Sequence, residues 1–257
     1  MSWATQRKLL YFLVFLAVFG VVVLYLTYPL LNKAPTCTDG KQNGDESGVD
    51  CGGACQLLCI EQLAELNVKW VRSFEVSRGN YDVVAYVENR NVGAGIEKLL
   101  YRVKLYDDKG LFITQRDGKT FVGSNGVFAI FEAGLRTGES IPRKAFVEFE
   151  DISWSRTDPR SSAVKISIKN QKLENASTTP KLFSEVYNDS LLNLKNITLV
   201  ALLYGFDDNV LAASSATLDS LKPRASDDVY FTWLKSIEKD VARIEIVPHV
   251  NPFTLSF

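Results

Sequence analysis

The sequence has only one histidine in 257 residues, His249, which leaves little room for histidine-based catalysis or histidine-ligated metals. It also lacks a basic excess, because 29 Lys and Arg residues face 30 Asp and Glu residues, and this argues against a nucleic-acid partner. No P-loop, dinucleotide-binding fingerprint, HExxH or G-x-S-x-G motif occurs. We therefore expect a protein that is not an enzyme and needs no cofactor, in which His249 is solvated or has a capping role.

Charge is absent from residues 9–31, which read LLYFLVFLAVFGVVVLYLTYPLL. As a helix rising about 1.5 Å per residue, this run spans roughly 34 Å, enough for a hydrocarbon core of about 30 Å. The sequence therefore predicts a transmembrane helix over 9–31, with the lipid bilayer as its partner. A cleaved signal peptide is the alternative, but its apolar region would span only about 7–15 residues and end at a small-residue site.

Cysteine is absent from the chain except in a short segment that follows the helix. The four cysteines are Cys37, Cys51, Cys55 and Cys59. An even number of cysteines in a glycine-rich, loop-like stretch is typical of disulfides formed in an oxidising compartment. We therefore predict a disulfide-bonded segment over 36–60, with all three pairings open. This places residues 1–8 in the cytoplasm and the chain from Lys33 onward on the extracytoplasmic side of the cell membrane.

Metal binding is the alternative for this segment. Four cysteines can hold zinc, but the spacing C-x13-C-x3-C-x3-C differs from the paired C-x2-C pattern of zinc ribbons. The calcium candidates, in the register of an EF-hand-like loop, are Asp39, Asn43, Asp45 and Asp50. Lys41, however, puts a cation at the third position of this register. We therefore expect a solvated acidic loop that is tied by disulfides and holds no metal.

The segment from Cys37 to Cys55 reads CTDGKQNGDESGVDCGGAC. It resembles a cysteine-rich module of the form C-x-D-G-x-x-N-G-x-E-x-G-V-D-C-G-G-x-C-x-x-C, which recurs in secreted and membrane-anchored bacterial proteins. Three residues, rather than the two of the module, separate Cys55 from Cys59. The resemblance implies an extracytoplasmic location and no catalytic activity.

From residue 66 onward, apolar and polar residues alternate in short segments, which predicts β-strands. Three of these segments have the following apolar members on one face: Tyr101, Val103 and Leu105; Ile166 and Ile168; Ala242, Ile244 and Ile246. The charged residues between them, among them Arg243 and Glu245, are expected to face water.

The two halves of this region are similar. Val87-Glu88-Asn89 recurs as Val186-Tyr187-Asn188, and each half has a Leu-Tyr pair followed by a polar turn. Units of about 90–95 residues have the size of an Ig-like sandwich. We therefore predict an all-β fold of two tandem Ig-like β-sandwiches, over 66–155 and 162–257, preceded by the transmembrane helix and the cysteine-rich segment. A polar linker at 158–162 would join the sandwiches.

The first half contains Val103-Lys104-Leu105-Tyr106-Asp107, and the second contains Leu202-Leu203-Tyr204-Gly205. Both are similar to the motif of FxLYD-type domains, which are small extracytoplasmic β-sandwiches. The resemblance implies an anchored surface protein and no reaction. We therefore expect a single-pass, membrane-anchored, extracytoplasmic structural or protein-binding module, whose candidate partner is a protein of the cell envelope. The alternative is an accessory subunit of an envelope assembly or secretion complex.

Three further features have a binding or modification alternative beside a structural one. The aromatic residues expected to fill the cores are Trp70, Phe74, Phe121, Phe128, Phe131, Phe146, Phe149 and Trp154. The alternative for them is that an exposed subset forms a carbohydrate- or peptide-binding face. The glycine-rich segment 121–141 is expected to be strand, turn and strand, with a binding loop as the alternative. Asn175, Asn188 and Asn196 begin N-x-S/T sequences, which accept glycans only in a cell with that machinery.

Overall fold

The computed structural model describes residues 3–31 and 36–255, and the chain divides into two compact units, Met1–Cys55 and Gln56–Phe257. The first unit contains one helix and most of the cysteine-rich segment. The second contains the β-strands, which form two sandwiches.

The helix α1 (Trp3–Leu31) contains the whole charge-free run. Its segment Leu10–Tyr28 is long and apolar enough to cross a membrane. The helix begins before the predicted residue 9, because residues 3–8 include neither glycine nor proline and continue the helix towards the N-terminus. Of the predicted flanks, residues 1–2 and 32–35, with Lys33, lie outside the described residues.

The first sandwich consists of two antiparallel sheets. Its strands are β1 (Asn67–Ser77), β2 (Asn80–Asn89), β3 (Ala94–Tyr106), β4 (Phe112–Val122), β5 (Gly126–Arg136), β6 (Lys144–Glu150) and the short β7 (Ser155–Arg156). One sheet has the order β1-β2-β5 and the other has the order β4-β3-β6, with β7 paired to the start of β3. The predicted alternation in β3 is confirmed, because Tyr101, Val103 and Leu105 are buried in the core between the sheets.

The second sandwich repeats this strand order. Its strands are β8 (Ile166–Glu174), β9 (Lys181–Asn188), β10 (Leu194–Tyr204), β11 (Val210–Leu221), β12 (Ser226–Thr232) and β13 (Arg243–His249). They form the sheets β12-β9-β8 and β11-β10-β13 around a second core. A single 3-10 turn, Pro159–Ala163, lies in the predicted linker and is capped by the Asp158 side chain. The predicted fold class, β-sandwiches after an apolar helix and a cysteine-rich segment, is confirmed.

A third apolar core lies between the two sandwiches. The outer face of sheet β1-β2-β5 packs on the outer face of sheet β11-β10-β13. Its buried members are Val84, Ala129, Val200, Leu202, Tyr204, Val210, Ala213 and Val247. Because both faces of β2 and β10 are covered, these strands contain the nearly continuous apolar runs VVAYV and ITLVALLY instead of a simple alternation.

The water-facing side of β13 was predicted only in part. Arg243 is exposed, as expected, but Glu245 is half-buried on the face that meets the first sandwich. The Tyr86 hydroxyl donates to Glu245 Oε1 at 2.6 Å, and Arg243 Nη1 donates to Glu245 Oε2 at 3.0 Å. The Arg243 guanidinium also lies 3.7 Å over the Tyr204 ring. Alternation separates the two faces of a strand, but it does not tell whether the polar face meets water or another sheet.

The corresponding face of the first sandwich, on sheet β4-β3-β6, carries ion pairs instead of an apolar core. Lys104 precedes a Leu-Tyr pair in β3, as Leu202 does in β10, and its Nζ lies 2.6 Å from Glu148 Oε2. Arg102 Nη1 lies 2.9 Å from Glu150 Oε1 on the same face. Covering these charges with another sheet would remove them from water, which costs free energy. Among the described residues, the two outer faces that pack together are the apolar ones.

Candidate binding cleft between the two sandwiches

A cleft of about 810 Å³ opens at one end of the contact between the sandwiches. Residues 71–76 of β1 form one wall, residues 209–213 at the start of β11 form the second, and the loop 232–239 after β12 closes a third side. The volume falls within the range of roughly 300–1,000 Å³ that is typical of ligand clefts. The cleft is therefore our candidate functional site.

The β1 wall of the cleft is an edge strand. Register shifts between Val68 and Trp70 and between Glu75 and Ser77 bound a regular stretch of this strand. Among the residues that the structure describes, the backbone of 71–76 is hydrogen-bonded only in the ladder with β2. Such an edge presents unpaired N–H and C=O groups at the spacing of a β-ladder.

The β11 wall is also an edge strand, but a tryptophan partly closes it. Trp233 Nε1 donates to the Ala213 carbonyl at 2.8 Å, and Ser214 Oγ donates to the Thr232 carbonyl at 3.1 Å. The Trp233 backbone N–H donates in turn to the Pro180 carbonyl at 3.1 Å, which fixes the loop. These contacts leave β1 as the open wall.

Two polar contacts cross from β1 to the second sandwich and hold the walls together. Lys235 Nζ lies 2.7 Å from Glu75 Oε2, and Arg72 Nη2 donates to Asn209 Oδ1 at 2.8 Å. The hydrogen bond to Glu75 raises the pKa of Lys235 above its ordinary value, because it stabilises the charged amine. Both contacts join residues that are distant in sequence.

The cleft combines a balanced charge with apolar surface. Its charged lining consists of Arg72, Arg143, Lys235, Lys239, Glu75, Asp82, Asp207 and Glu238. Burial raises the pKa of Asp82, although its Oδ1 accepts a hydrogen bond from the Gly134 N–H at 2.8 Å. Phe74 and Leu234 add apolar surface, and Leu234 is 81% exposed. Four charges of each sign favour a ligand without strong net charge.

Of the cleft residues, only Phe74 was singled out from the sequence, and it was expected to fill a core. The only local signal for a contact between the sandwiches was the nearly continuous apolar runs of β2 and β10, which indicate that both faces of each strand are covered. The cleft itself depends on how two sheets far apart in the chain meet, and no local pattern encodes that.

His249 was predicted wrongly as a solvated or capping residue. It is only 9% exposed, and its ring centroid lies 3.9 Å from that of Phe121 and 5.4 Å from that of Phe128 in the first sandwich. Its Nε2 is buried and has no hydrogen-bond partner among the described residues. Burial lowers the pKa of His249 to about 4. The residue is therefore a neutral aromatic ring in the contact between the sandwiches.

All four cysteines are disulfide-bonded, as predicted, and Cys37 pairs with Cys55. The Glu46 carboxylate lies close to this pair, but two sulfurs joined in a disulfide offer no thiolate to a metal. The surrounding turns pack tightly, since a Cβ at Gly53 would lie only 1.6 Å from the Asp45 carbonyl oxygen. Gly53 is therefore required for close packing of the disulfide-bonded loop.

The calcium candidates act as hydrogen-bond acceptors and donors within this loop. The Asp50 carboxylate accepts from the backbone N–H groups of Asp39 and Gly40 at 2.9–3.1 Å. Asp39 Oδ2 accepts from Asn43 Nδ2 at 3.0 Å, and this bond lowers the pKa of Asp39. Asp45 supplies the carbonyl that packs on Gly53. In the folded loop these residues stabilise successive turns.

The predicted core aromatics occupy several environments. Phe128 and Trp154 are buried in the first core with Phe149 at its margin, and Trp70, Phe74 and Phe131 pack against the third core. Phe121 stacks on His249, whereas Phe146 is 52% exposed, contrary to the expectation for it.

The segment 121–141 contains the end of β4 and all of β5, which confirms strand, turn and strand. Asn175 and Asn196 are exposed, and Asn188 is fully buried.

No protein-family model matches the chain, and no curated protein matches it in sequence. Among solved structures, a transglutaminase from red sea bream is 9% identical over 74% of this chain and 30% of its own, with a TM-score of 0.25. A β-glucuronidase of glycoside hydrolase family 2 is 12% identical over 87% of this chain and 28% of its own, with a TM-score of 0.26.

The C-terminal globular domain of an oligosaccharyltransferase from Pyrococcus abyssi is similarly distant. It is 10% identical over 72% of this chain and 46% of its own, with a TM-score of 0.17. The chain spans less than half the length of each of these three proteins. Similarities at such TM-scores carry no argument about function.

Proposed function

We propose that this chain is a membrane-anchored, extracytoplasmic, non-enzymatic protein whose two sandwiches form one rigid protein-binding module. The observation that carries the proposal is the third apolar core, which joins the outer face of β1-β2-β5 to that of β11-β10-β13. Burial of apolar side chains between two domains opposes their relative motion. A rigid pair of sandwiches with a preformed cleft suits binding at a fixed geometry better than a flexible tether does.

The location rests on the helix and the cysteines together. Helix α1 would anchor the chain with its amino terminus in the cytoplasm, and the disulfide-bonded cysteines that follow it favour an oxidising compartment. The resemblance of residues 37–55 to the cysteine-rich module, and of the sandwiches to FxLYD-type domains, supports the same placement. We also propose that the sandwiches are a tandem repeat, because their strand orders correspond strand by strand.

Thiol trapping in cells tests this placement. Full-length protein is acid-quenched in whole cells, its free thiols are alkylated, and thiols released by a reductant are then coupled to a maleimide-polyethylene glycol. We expect all four cysteines to react only after reduction. A variant without α1, which would remain in the cytoplasm, is the control and should show free thiols before reduction. Four free thiols in the anchored chain would contradict the proposal.

A further inference from the structure

We propose that the open edge of β1 in the cleft binds an extended segment of a partner polypeptide, which adds to sheet β1-β2-β5 as a new strand. This inference deepens the proposed protein-binding function and rests on it. Backbone N–H and C=O groups at strand spacing are complementary to another extended backbone, and main-chain hydrogen bonds supply the affinity in this mode of recognition.

The open stretch is long enough for such pairing. The regular part of β1 runs from Trp70 to Glu75, between the two register shifts, and residues 71–76 line the cleft. Six residues are about the length of an average strand. The opposite wall cannot serve equally well, because Trp233 already occupies the Ala213 carbonyl of β11.

The chemistry around this edge selects the kind of peptide. Side chains of an added strand would alternate between the two faces of the sheet, as they do in β1. On one face they would meet Phe74 and the exposed Leu234, which favours apolar residues at every second position. On the rim they would meet ion-paired groups such as Glu75 with Lys235. The segment that fits is therefore an uncharged or charge-balanced peptide with alternating apolar residues.

The edge is also held in place before binding. Arg72 and Glu75 of β1 are both joined to the second sandwich, through Asn209 and Lys235 respectively. An edge strand with fixed geometry loses less conformational freedom on binding than a mobile one. The second sandwich thus acts as a support that presents the β1 edge.

The experiment uses full-length protein in lipid nanodiscs and a phage-displayed library of random 12-residue peptides. We expect enriched peptides to alternate apolar residues and to slow amide hydrogen exchange in residues 71–76 at least tenfold. The edge strand β4 of the other sheet, which does not line the cleft, should show unchanged exchange. Because binding is measured outside the cell, failure here is separate from failure of the thiol-trapping test of location.

Matched variants locate the site. Leu234→Glu is expected to weaken binding of the enriched peptides at least tenfold, because it places a charge beside the apolar positions. Leu191→Glu is the control, since Leu191 is 76% exposed in the turn between β9 and β10, outside the cleft, and should bind as the unaltered chain does. An empty selection, or peptides that bind Leu234→Glu equally well or protect other strands, would overturn the proposal. Concentration-dependent protection of 71–76 without peptide would assign the edge to a second copy of the chain and would also overturn it.

Discussion

Asn89 and Asn188 hold the same position in the two sandwiches and make the same kind of contact. Each ends the second strand of its sandwich and is almost completely buried. Asn89 Nδ2 lies 2.9 Å from the Ala94 carbonyl oxygen and 2.7 Å from that of Gly123. Asn188 Nδ2 lies 2.8 and 3.1 Å from carbonyl oxygens just before β10 and at the end of β11. In both cases Oδ1 accepts from the backbone N–H two residues later.

Replacing Asn188 with Ala should destabilise the second sandwich by about 3 kcal/mol, because several buried backbone groups lose their partner and each costs roughly 1–3 kcal/mol. Urea unfolding of the full-length protein in detergent, followed by tryptophan fluorescence, measures the change. The control is Asn193→Ala at an exposed position in the loop before β10, which should stay within about 0.5 kcal/mol of the unaltered chain. Equal effects of the two variants would show that the buried amide is not required.

Because of the third core, we expect substitutions at two corresponding positions to lower the free energy of unfolding by very different amounts. Leu202 is fully buried between the sandwiches, whereas Lys104 lies on the ion-paired outer face of the first. Leu202→Ala should cost about 2–5 kcal/mol of unfolding free energy, since it leaves a cavity in a packed core. Lys104→Ala removes a surface ion pair and should cost about 1 kcal/mol or less. Similar losses for the two variants, measured by urea unfolding, would argue against a packed contact between the sandwiches.

Because His249 is buried as a neutral ring, we expect the contact between the sandwiches to be less stable at acidic pH. Its pKa is about 4 in the folded protein, against an ordinary 6.5, so the unfolded chain binds the proton more tightly. The contribution of the neutral ring to stability is complete above pH 6.5 and is lost as the pH falls from 6.5 to 4. At about 1.36 kcal/mol per pKa unit, the loss approaches about 3 kcal/mol. The variant His249→Phe keeps an aromatic ring and should lack this part of the pH dependence of unfolding, and an unchanged pH profile would disprove the assignment.

The disulfide between Cys37 and Cys55 should stabilise the loop that it closes. The two residues are 18 apart in sequence, and a closed loop of this length contributes about 3 kcal/mol in the chain-entropy model. Double substitution of both cysteines by serine should therefore make residues 37–55 sensitive to limited proteolysis. The sandwiches have cores of their own and should keep their urea midpoint. A large shift of that midpoint would contradict this independence.

The strands and their inward faces could be predicted from the sequence because alternate burial is a local property. Val103 and Leu105 show it directly, since they are buried as their spacing indicates. Whether another sheet covers the outer face of a strand could not be predicted in this way. Glu245 and His249 have the local pattern of solvent-facing residues, but another sheet packs on them, which leaves Glu245 half-buried and His249 buried. The cleft is equally non-local, since Arg72 and Asn209 lie 137 residues apart in the chain.

The aromatic residues show the same division between local and long-range information. A core position was expected for all eight, and the expectation holds where a strand has a covered face, as at Phe128 in β5. Phe146 has the same local pattern but is 52% exposed, on a sheet face that no other sheet covers within the part of the chain that the structure describes. The ion pairs of Arg102 and Lys104 lie on this same uncovered face. They join neighbouring strands, so the pattern of a single strand does not reveal them.

Accessibility of a single introduced thiol tests the placement of the sandwiches most directly. Val92 is 81% exposed in the turn between β2 and β3, and because the native cysteines are all disulfide-bonded, Val92→Cys carries the one reactive thiol of the described chain. Spheroplasts expressing this variant are treated with a membrane-impermeant maleimide before or after lysis. The account predicts equal labelling in both samples, and labelling only after lysis would contradict it.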